Sequence, residues 1–230
     1  MKYIILGLGS FGSSLAQKLT IQGNEVIGID SNYAKIESLK DTITHVICLD
    51  ATDEITVSGL PLKDTDVVVV AIGENQGANI MVTALMKNLN VKRLVSRAIN
   101  PLHEKVLEAL GVDEIVHPEE ETAERWSKKL CLKQVLDSFE LNSEYSIIEA
   151  KVPEEYVQKT IREVGFKRTY GLLVLTIIKK QEIKSLVGKT KIEDKILGVA
   201  AADEKLEKND VLVLFGTNKD LQKFLRISNL

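Results

Sequence analysis

Short apolar runs and one amphipathic stretch alternate through the first thirty residues, which read KYIILGLGSFGSSLAQKLTIQGNEVIGID from residue 2. The apolar run over 3–6 predicts a strand, and apolar residues at helical spacing over 15–21 predict a helix. A second apolar run over 26–29 predicts another strand, which ends at Asp30. The chain therefore begins with a strand, a glycine-rich turn, a helix and a second strand.

The same alternation of strands and helices continues to residue 116. Helices are predicted over 31–40, 78–89 and 102–110, a short helix or turn over 54–62, and strands over 45–49, 66–72, 93–96 and 113–116. The run DVVVVAI over 66–72 is apolar on both faces, as is typical of a parallel sheet covered by helices. This order predicts an α/β fold with a doubly wound parallel sheet of six strands. Its ligand crevice is expected at the carboxyl ends of the strands.

The pattern changes after residue 118. Residues 119–136 predict a long amphipathic helix, and Trp126 on its apolar stripe is predicted to pack on another helix or on a second subunit. Later patterns predict strands over 145–152, 171–180, 182–186, 195–200 and 210–216, and helices over 154–165 and 218–227. We therefore expect two domains, one over 1–140 with the long helix at its end, and a small α+β domain over 141–230.

Three glycines in the first turn have the GxGxxG spacing of a dinucleotide-binding loop: Gly7, Gly9 and Gly12. Gly7 lets the chain turn sharply, Gly9 leaves space for a pyrophosphate, and Gly12 lets the helix lie close to the strand. The helix presents N–H groups and the positive end of its dipole to a phosphate. Asp30 lies 23 residues after Gly7, near the spacing of the acid that accepts ribose hydroxyls.

These residues leave the nucleotide open. A carboxylate at position 30 would repel a ribose phosphate, which disfavours NADP, whereas NAD(H), ATP, ADP and AMP all fit. Further candidate contacts lie at the carboxyl ends of the other predicted strands, namely Asp50, Ala51, Ala71–Asn75 and Arg97. The alternative is a nucleotide-binding scaffold that has lost its ligand.

Composition narrows the class of protein. The 230 residues are 44% hydrophobic and 27% charged, which is ordinary for a protein with a substantial core. A net charge of −3 gives no overall attraction to nucleic acid, so no nucleic-acid partner is expected. Cys48 and Cys131 lack metal-ligand spacing and are predicted to be reduced thiols, with Cys48 buried in its strand. Because no apolar run reaches the length of a membrane span and no signal pattern is present, a cytoplasmic protein is expected.

Taken together, these motifs resemble those of a known family. The segments GLGSFG, VIGID, LDATD, VVVAIGEN, HEKVLEALGVDEIVHPEEE and DVLVLFG are similar to Ktr/Trk-type RCK proteins. Such proteins are cytosolic regulatory subunits of bacterial potassium uptake channels. The resemblance covers the whole chain and implies a KtrA-like protein with one Rossmann-like RCK_N domain and one RCK_C domain. It also implies homodimers that exchange the long helix, an octameric ring, and a membrane-embedded potassium channel subunit as partner at the inner face of the cell membrane.

The resemblance assigns roles to individual residues. It implies that the nucleotide is bound by Gly7, Gly9, Ser10, Phe11, Gly12, Asp30, Ser31, Asp50, Ala51, Ala71, Ile72, Gly73, Glu74 and Arg97. Within this set, Asp50 and Ala51 match positions beside the adenine, and Arg97 matches a basic residue near the phosphates. Glu119 matches an acid that can help to hold a cation, monovalent or divalent, between subunits.

The sequence departs from the family pattern at several positions. Ser10 stands where KtrA-like proteins often carry an arginine that reaches the γ-phosphate of the neighbouring subunit's ATP, so NAD(H) and AMP stay open beside ATP and ADP. The segment GFKRTYGLLVL resembles a cyclic di-AMP site at a dimer interface. There Lys167 stands about where an arginine contact would fall, and Leu173 stands where some relatives have asparagine. Ala200–Ala202 replaces a proline-containing loop.

The leading hypothesis is a non-catalytic regulatory subunit that gates a potassium uptake channel through a nucleotide-dependent change of an RCK ring. The alternatives are an NAD-dependent oxidoreductase, and a nucleotide or cyclic di-AMP sensor without a channel. Three features count against an oxidoreductase: the second domain has no histidine, His103 is predicted to be a surface polar residue, and His117 is predicted to cap a strand end. A sensor that represses transcription would need a basic helix-turn-helix segment, which the pattern does not predict.

Overall fold

The computed structural model describes residues 1–131, 134–184 and 190–227. Contacts within the chain separate it into two compact units, Met1–Glu120 and Glu121–Leu230. The second unit therefore begins well before residue 141, where the sequence pattern placed the start of the second domain.

The first unit is an α/β structure in which strands and helices alternate along the chain. Its strands are β1 (Lys2–Leu6), β2 (Glu25–Asp30), β3 (His45–Cys48), β4 (Val67–Val70), β5 (Leu94–Arg97) and β6 (Glu114–Val116). Its helices are α1 (Ser10–Ile21), α2 (Tyr33–Leu39), α3 (Glu54–Ser58), α4 (Gln76–Asn88) and α5 (Pro101–Ala109). The helix α6 (Pro118–Cys131) begins in this unit and leads out of it.

The strands of the first unit form a parallel sheet in the order β3-β2-β1-β4-β5-β6. The strand order reverses beside β1, so the loops after β1 and β4 diverge and open a crevice at the carboxyl edge. β4 is buried along its whole length. This is because the helices cover both faces of the sheet and form a separate core cluster on each. The prediction of a doubly wound, six-stranded sheet is confirmed.

The second unit is a small α+β structure, as predicted. In its described residues the strands are β7 (Val135–Glu140), β8 (Tyr145–Lys151), β9 (Leu173–Lys184), β10 (Thr190–Ile196) and β11 (Val211–Thr217). The helices are α7 (Ile161–Val164), α8 (Phe166–Tyr170) and α9 (Asn218–Ile227). The strands are antiparallel in the order β10-β9-β11-β8-β7. A core cluster that includes Leu212 and Phe224 fills the space between sheet and helices.

The long helix is shorter than the sequence pattern predicts. α6 ends at Cys131, and Val135–Glu140 forms β7, which pairs with β8 in the second sheet. Val135 is buried. The Arg125 guanidinium of α6 donates from Nε to the Asp137 carboxylate of β7 at 2.7 Å. The helix prediction fails over 135–136 because the strand that pairs with this segment lies downstream, and local spacing does not reveal it.

The spacing also predicts one helix over 154–165, which the structure divides. Glu154–Tyr156 forms a single 3₁₀ turn, and Gln158 then has a positive φ of 71°. Thr160 starts α7 with a capping box, since its hydroxyl accepts the N–H of Glu163 while the Glu163 carboxylate accepts the N–H of Thr160. The polar residues that suggested a helix surface therefore form a turn and a helix start.

Two predicted weak strands differ in extent. β9 continues through Lys184, so the start of the predicted strand over 182–186 belongs to β9, and residues 185–189 lie outside the described part. The strand predicted over 195–200 is β10, which ends at Ile196. It ends there because Gly198 adopts a positive φ of 82°, which does not continue a strand.

Two side chains differ in burial from the prediction. Cys48, predicted to be buried, is exposed at the end of β3, which is an edge strand. His103, predicted to be a surface residue, is fully buried, because α5 turns His103 and Leu107 inward and leaves Leu102 74% exposed. Burial lowers the pKa of the His103 imidazole.

The described helices are too short or too polar for a membrane span. α6, at 14 residues, is the longest of them, and none has both the length and the apolar character that crossing a bilayer requires.

Candidate nucleotide-binding site

The GLGSFG loop makes a sharp turn between β1 and α1. Gly7 has a φ of 96°, and its N–H donates to the Ile29 carbonyl at 2.8 Å, which ties the turn to β2. A Cβ at Gly12 would overlap the Gly7 carbonyl oxygen and would lie 3.0 Å from the Ala71 Cβ. The absence of a side chain at residue 12 therefore allows α1 to lie close to the loop and to the end of β4.

Gly9 leaves the mouth of this turn open. No atom lies within 4 Å of the place where its Cβ would be. Gly9 is also the N-cap of α1, where it has no side chain that could accept the first N–H groups, and the first turn holds no acidic residue. The N–H groups and the positive end of the helix dipole are therefore presented to the crevice, an arrangement suited to an anion.

Asp30 lies at the carboxyl end of β2 with its side chain only 10% exposed. One carboxylate oxygen accepts the Leu8 N–H at 2.8 Å, and the other accepts the Asn32 N–H at 2.9 Å. The Lys35 ammonium lies 3.2 Å from the oxygen that Leu8 contacts. The carboxylate thus braces the glycine loop and the start of α2, and a ribose hydroxyl would share it with Lys35.

A buried amide joins the carboxyl ends of β4 and β5. Asn79 of α4 is fully buried, and its Nδ2 donates to the Ile72 carbonyl at 2.8 Å and to the Arg97 carbonyl at 3.2 Å. Its Oδ1 accepts the Ser96 hydroxyl at 3.2 Å. These hydrogen bonds fix the backbone just after β4 and at the end of β5 and so position Arg97.

The Arg97 side chain reaches from the end of β5 to the loop after β4. Its guanidinium lies against the backbone of Gly73, in space that a Cβ at residue 73 would occupy. Nη2 donates to the Glu119 carboxylate, which belongs to the first turn of α6. Nε is buried, and no hydrogen-bond partner for it is found among the described residues. Arg97 is therefore a largely buried cation with donor capacity left for a ligand.

These groups line a cavity of about 550 Å³ at the carboxyl edge of the sheet. The structure brings together in its lining Gly7, Gly9, Ser10, Asp30, Ser31, Asp50, Ala51, Ala71, Ile72, Gly73, Glu74, Asn75, Arg97 and Glu119. Two residues of the predicted site are not in this lining. Gly12 is buried within α1, and Phe11 is partly buried against the core of the first unit. Phe11 and Gly12 therefore pack beside the cavity and do not form part of its lining.

Other residues line the cavity that the sequence pattern did not single out: Ile29, Lys35, Leu49, Thr52 and Ala78. Lys35 matters most, because it is a cation beside Asp30. Its signal in the sequence is Asn32, whose side chain caps α2 by accepting the Ala34 N–H. That cap places residue 35 in the first turn of α2, near the end of β2.

The charges in the cavity are mixed. Asp30, Asp50, Glu74 and Glu119 are acidic, while Lys35 and Arg97 are basic and each pairs with one of these acids. The Asp50 carboxylate accepts the N–H of Thr52 at 2.9 Å and its hydroxyl at 2.7 Å, which holds the pKa of that carboxyl below its usual value. Among the described residues, no group of three or more His, Cys, Asp or Glu side chains is arranged to hold a metal ion.

A second cavity, of about 420 Å³, lies in the second unit beside α7, α8 and β9. Its lining includes the bases Arg162, Lys167 and Arg168 together with Leu173, Ala200 and Ala202. The Arg162 guanidinium pairs with the Asp203 carboxylate, with Nε 2.8 Å from Oδ1. The structure thus brings Lys167, Leu173 and the alanine-rich loop to one basic cavity.

Comparison with known proteins identifies the family. Residues 3–118 match the TrkA-N domain, a range that holds all of the cavity lining except Glu119. The chain is 31% identical to the Ktr system potassium uptake protein C of Bacillus subtilis (strain 168) over 223 residues, which are 97% of this chain and 95% of that protein. This chain belongs to the family of Ktr potassium uptake proteins. The Ktr system potassium uptake protein A of the same bacterium is 30% identical to this Ktr family member, again over 97% of this chain and 95% of that protein.

Solved structures share the fold of this Ktr family member. The crystal structure of the GsuK RCK domain covers 98% of the chain with a TM-score of 0.64 and 18% identity, and the match spans 47% of that longer chain. The GsuK channel bound to NAD covers 96% with a TM-score of 0.61 and 20% identity, and 38% of that chain is matched. The chain therefore corresponds to less than half the length of these two structures, and the likeness concerns the fold.

Proposed function

We propose that this Ktr family member is a cytosolic, nucleotide-binding regulatory subunit that gates a potassium uptake channel. The observation that carries the proposal is the cavity where the glycine loop, the α1 N-terminus and Asp30 meet at the carboxyl edge of the sheet. Relatives named as potassium uptake proteins match 97% of the chain, which supports a role in potassium transport. The proposed location is peripheral, at the inner face of the cell membrane, through the channel partner.

The ligand proposed for the cavity is an adenine nucleotide, ATP or ADP, or NAD(H). The α1 N-terminus would bind phosphate, Asp30 would accept ribose hydroxyls, and Asp50 and Ala51 would lie beside the adenine. A ribose phosphate would meet the Asp30 carboxylate, which favours NAD(H) over NADP. The GsuK channel bound to NAD, which shares the fold, supports including NAD(H).

A monovalent or divalent cation at Glu119 would need ligands from outside this chain. Glu119 pairs with Arg97, and the described residues offer no cluster of metal ligands. Hard cations take six or more oxygen atoms, so nucleotide phosphates or a second subunit would supply the others. We therefore place this cation only in the nucleotide-bound assembly.

In the proposed mechanism, the nucleotide biases a ring of subunits between two shapes. A ligand shifts such an equilibrium only by the difference between its affinities for the two shapes. A change from 1:99 to 99:1 needs about 5.5 kcal/mol in total, which is under about 1 kcal/mol at each of the eight sites of an octameric ring. Small changes in each cavity are therefore sufficient for a large change in the population of shapes.

Trp126 and Leu130 of α6 are expected to lie in a subunit contact. They are 51% and 74% exposed in the single chain, and a helix with an apolar stripe is stabilised chiefly by packing that stripe on another surface. Light scattering should give the wild-type protein a mass several times the 25.5 kDa of one chain. Trp126→Ala together with Leu130→Ala should lower that mass.

The matched control for this test is Ile21→Ala together with Ile55→Ala. These side chains are 83% and 87% exposed on α1 and α3, so the control removes similar apolar area elsewhere on the surface. It should leave the mass unchanged. A wild-type mass near 25.5 kDa would contradict the proposed homodimer and ring.

A second ligand, cyclic di-AMP, is proposed for the basic cavity of the second unit. Arg162, Lys167 and Arg168 line that cavity, and a phosphodiester is an anion that such side chains bind. Equilibrium dialysis with labelled cyclic di-AMP tests this proposal, and binding that is unchanged by Lys167→Ala would place the ligand elsewhere.

Potassium uptake tests the proposed function directly. Cells that lack this protein should take up potassium slowly at low external concentration, and the wild-type gene should restore the rate. Gly9→Ala should restore it poorly, because a side chain at residue 9 would stand where the phosphate approaches. An uptake rate that does not depend on the protein would contradict the proposal. Steady oxidation of NADH with a keto acid by the purified protein would support the oxidoreductase alternative.

A further inference from the structure

The Arg97–Glu119 ion pair joins the cavity to α6. Both residues line the cavity together with Gly9 and Ser10 of the glycine loop. The two side chains differ in exposure, 15% for Arg97 and 66% for Glu119. Water can solvate the carboxylate when the pair separates, whereas a largely buried guanidinium needs another anion. The pair can therefore exchange its anion more readily than its cation.

The surroundings of Arg97 stay fixed during such an exchange. Asn79 holds the carbonyls of Ile72 and Arg97, and the guanidinium lies in the space left by Gly73. Nη2 donates to Glu119, and a guanidinium carries five N–H donors, so it has more than one donor to offer. A phosphate group suits this arrangement, because its oxygens can accept two parallel N–H bonds from one guanidinium.

We propose that Glu119 is an internal competitor for the phosphate of the bound nucleotide. In the empty site its carboxylate pairs with Arg97, and a phosphate at Arg97 displaces it. This inference rests on the proposed function, since it requires a nucleotide in the cavity. Without the cation proposed at Glu119, this carboxylate selectively lowers the affinity for phosphorylated ligands and couples that affinity to α6, so the binding test below is made in buffer free of divalent cations.

The displaced carboxylate would change the first turn of α6. Glu119 is the second residue of that helix, and the division between the two units falls directly after Glu120. α6 carries Trp126, the only tryptophan of the chain, about 10 Å further along the helix axis. Trp126 is half-exposed with the Lys129 ammonium 4.9 Å from the ring centroid, so its fluorescence is a reporter of changes in α6.

The test compares ADP and adenosine binding to the full-length protein by calorimetry. Glu119→Gln removes the charge and keeps the shape, and it should tighten ADP binding about fivefold, the size expected for loss of a partly exposed ion pair. Adenosine binding should not change, because adenosine has no phosphate. The matched control is Glu121→Gln, which makes the same charge change in α6 outside the cavity lining and should leave both affinities unchanged.

Repeating the comparison in the Arg97→Gln variant separates competition for Arg97 from simple repulsion between the Glu119 carboxylate and the phosphate. In Arg97→Gln, adding Glu119→Gln should change the ADP affinity by less than about twofold, because the shared cation is gone. Equal effects of Glu119→Gln in both backgrounds would overturn the inference. Weaker ADP binding by Glu119→Gln would overturn it too.

Tryptophan fluorescence gives an independent readout. Saturating ADP should shift the Trp126 emission of the wild type, and Glu119→Gln without ligand should already show the shifted spectrum. If ADP binds but Trp126 emission is the same in the empty wild type, the saturated wild type and Glu119→Gln, the link to α6 is overturned while the proposed function stands. If none of ATP, ADP, AMP, NAD and NADH binds the wild type, the proposed function fails as well.

Discussion

Gly12→Ala is expected to destabilise the first unit by about 3 kcal/mol, near the upper end of the usual cost of overpacking. The added Cβ would overlap the Gly7 carbonyl oxygen and press on the Ala71 Cβ, which lie in the packed segments just after β1 and β4. Neither group can move away as the end of a flexible side chain could. Hydrogen exchange of the β1 and β4 amides measures the effect within this unit, and their opening free energy should fall.

Gly9→Ala is the matched control. It adds the same methyl group three residues earlier in the glycine loop, where no atom lies within 4 Å of the added Cβ. Its cost in stability should stay below about 1 kcal/mol, the difference between glycine and alanine as an N-cap. Its cost in nucleotide affinity should be roughly tenfold or more, since the methyl group obstructs the phosphate. Equal stability losses in the two variants would contradict the described contact between α1 and the loop.

Asp30→Ala is expected to weaken nucleotide binding roughly tenfold to hundredfold, which corresponds to charge-assisted hydrogen bonds worth about 1.5–3 kcal/mol. The carboxylate would accept ribose hydroxyls, and it already accepts the Leu8 N–H at 2.8 Å. Its removal therefore withdraws a ligand contact and leaves an N–H of the glycine loop without its acceptor. Calorimetry with ADP measures the first effect, and thermal unfolding measures the second.

Asp66→Ala separates these two effects. The Asp66 carboxylate also accepts a backbone N–H, that of Lys2, at 2.8 Å, but it does not line the cavity. It should lower stability by an amount similar to Asp30→Ala and leave ADP affinity unchanged. If Asp66→Ala weakened ADP binding as much as Asp30→Ala does, Asp30 would be a structural residue and not a ribose contact.

Local patterns were sufficient to predict the first sheet and the position of its crevice. The strands carry continuous apolar runs, the GxGxxG spacing marks a turn, and Asp30 follows its strand directly, so each signal lies within a few residues. The same short range explains two errors. Local spacing predicts helix over 135–136, where β7 in fact pairs with β8, and His103 has no local sign that α5 turns it inward.

The contacts that set the chemistry of the candidate site lie further apart in sequence. Arg97 and Glu119 are separated by 22 positions, and nothing in either local segment predicts that they pair. The Arg97 guanidinium also needs the space beside Gly73, which is free only because residue 73, just after the neighbouring strand β4, is a glycine. Lys35 is only five residues from Asp30 in sequence, but it is the start of α2 at the Asn32 cap that places its ammonium beside the Asp30 carboxylate. These features follow from tertiary structure, which the spacing of residues alone does not contain.

Direct titration of the purified full-length protein with ATP, ADP, AMP, NAD and NADH by calorimetry tests the central claim, that the cavity of the first unit is a nucleotide site. We expect saturable binding of at least one of these ligands with one site per chain, weakened at least about tenfold by Asp30→Ala and not by Asp66→Ala. No saturable binding of any of the five ligands, or binding that Asp30→Ala does not affect, would contradict it.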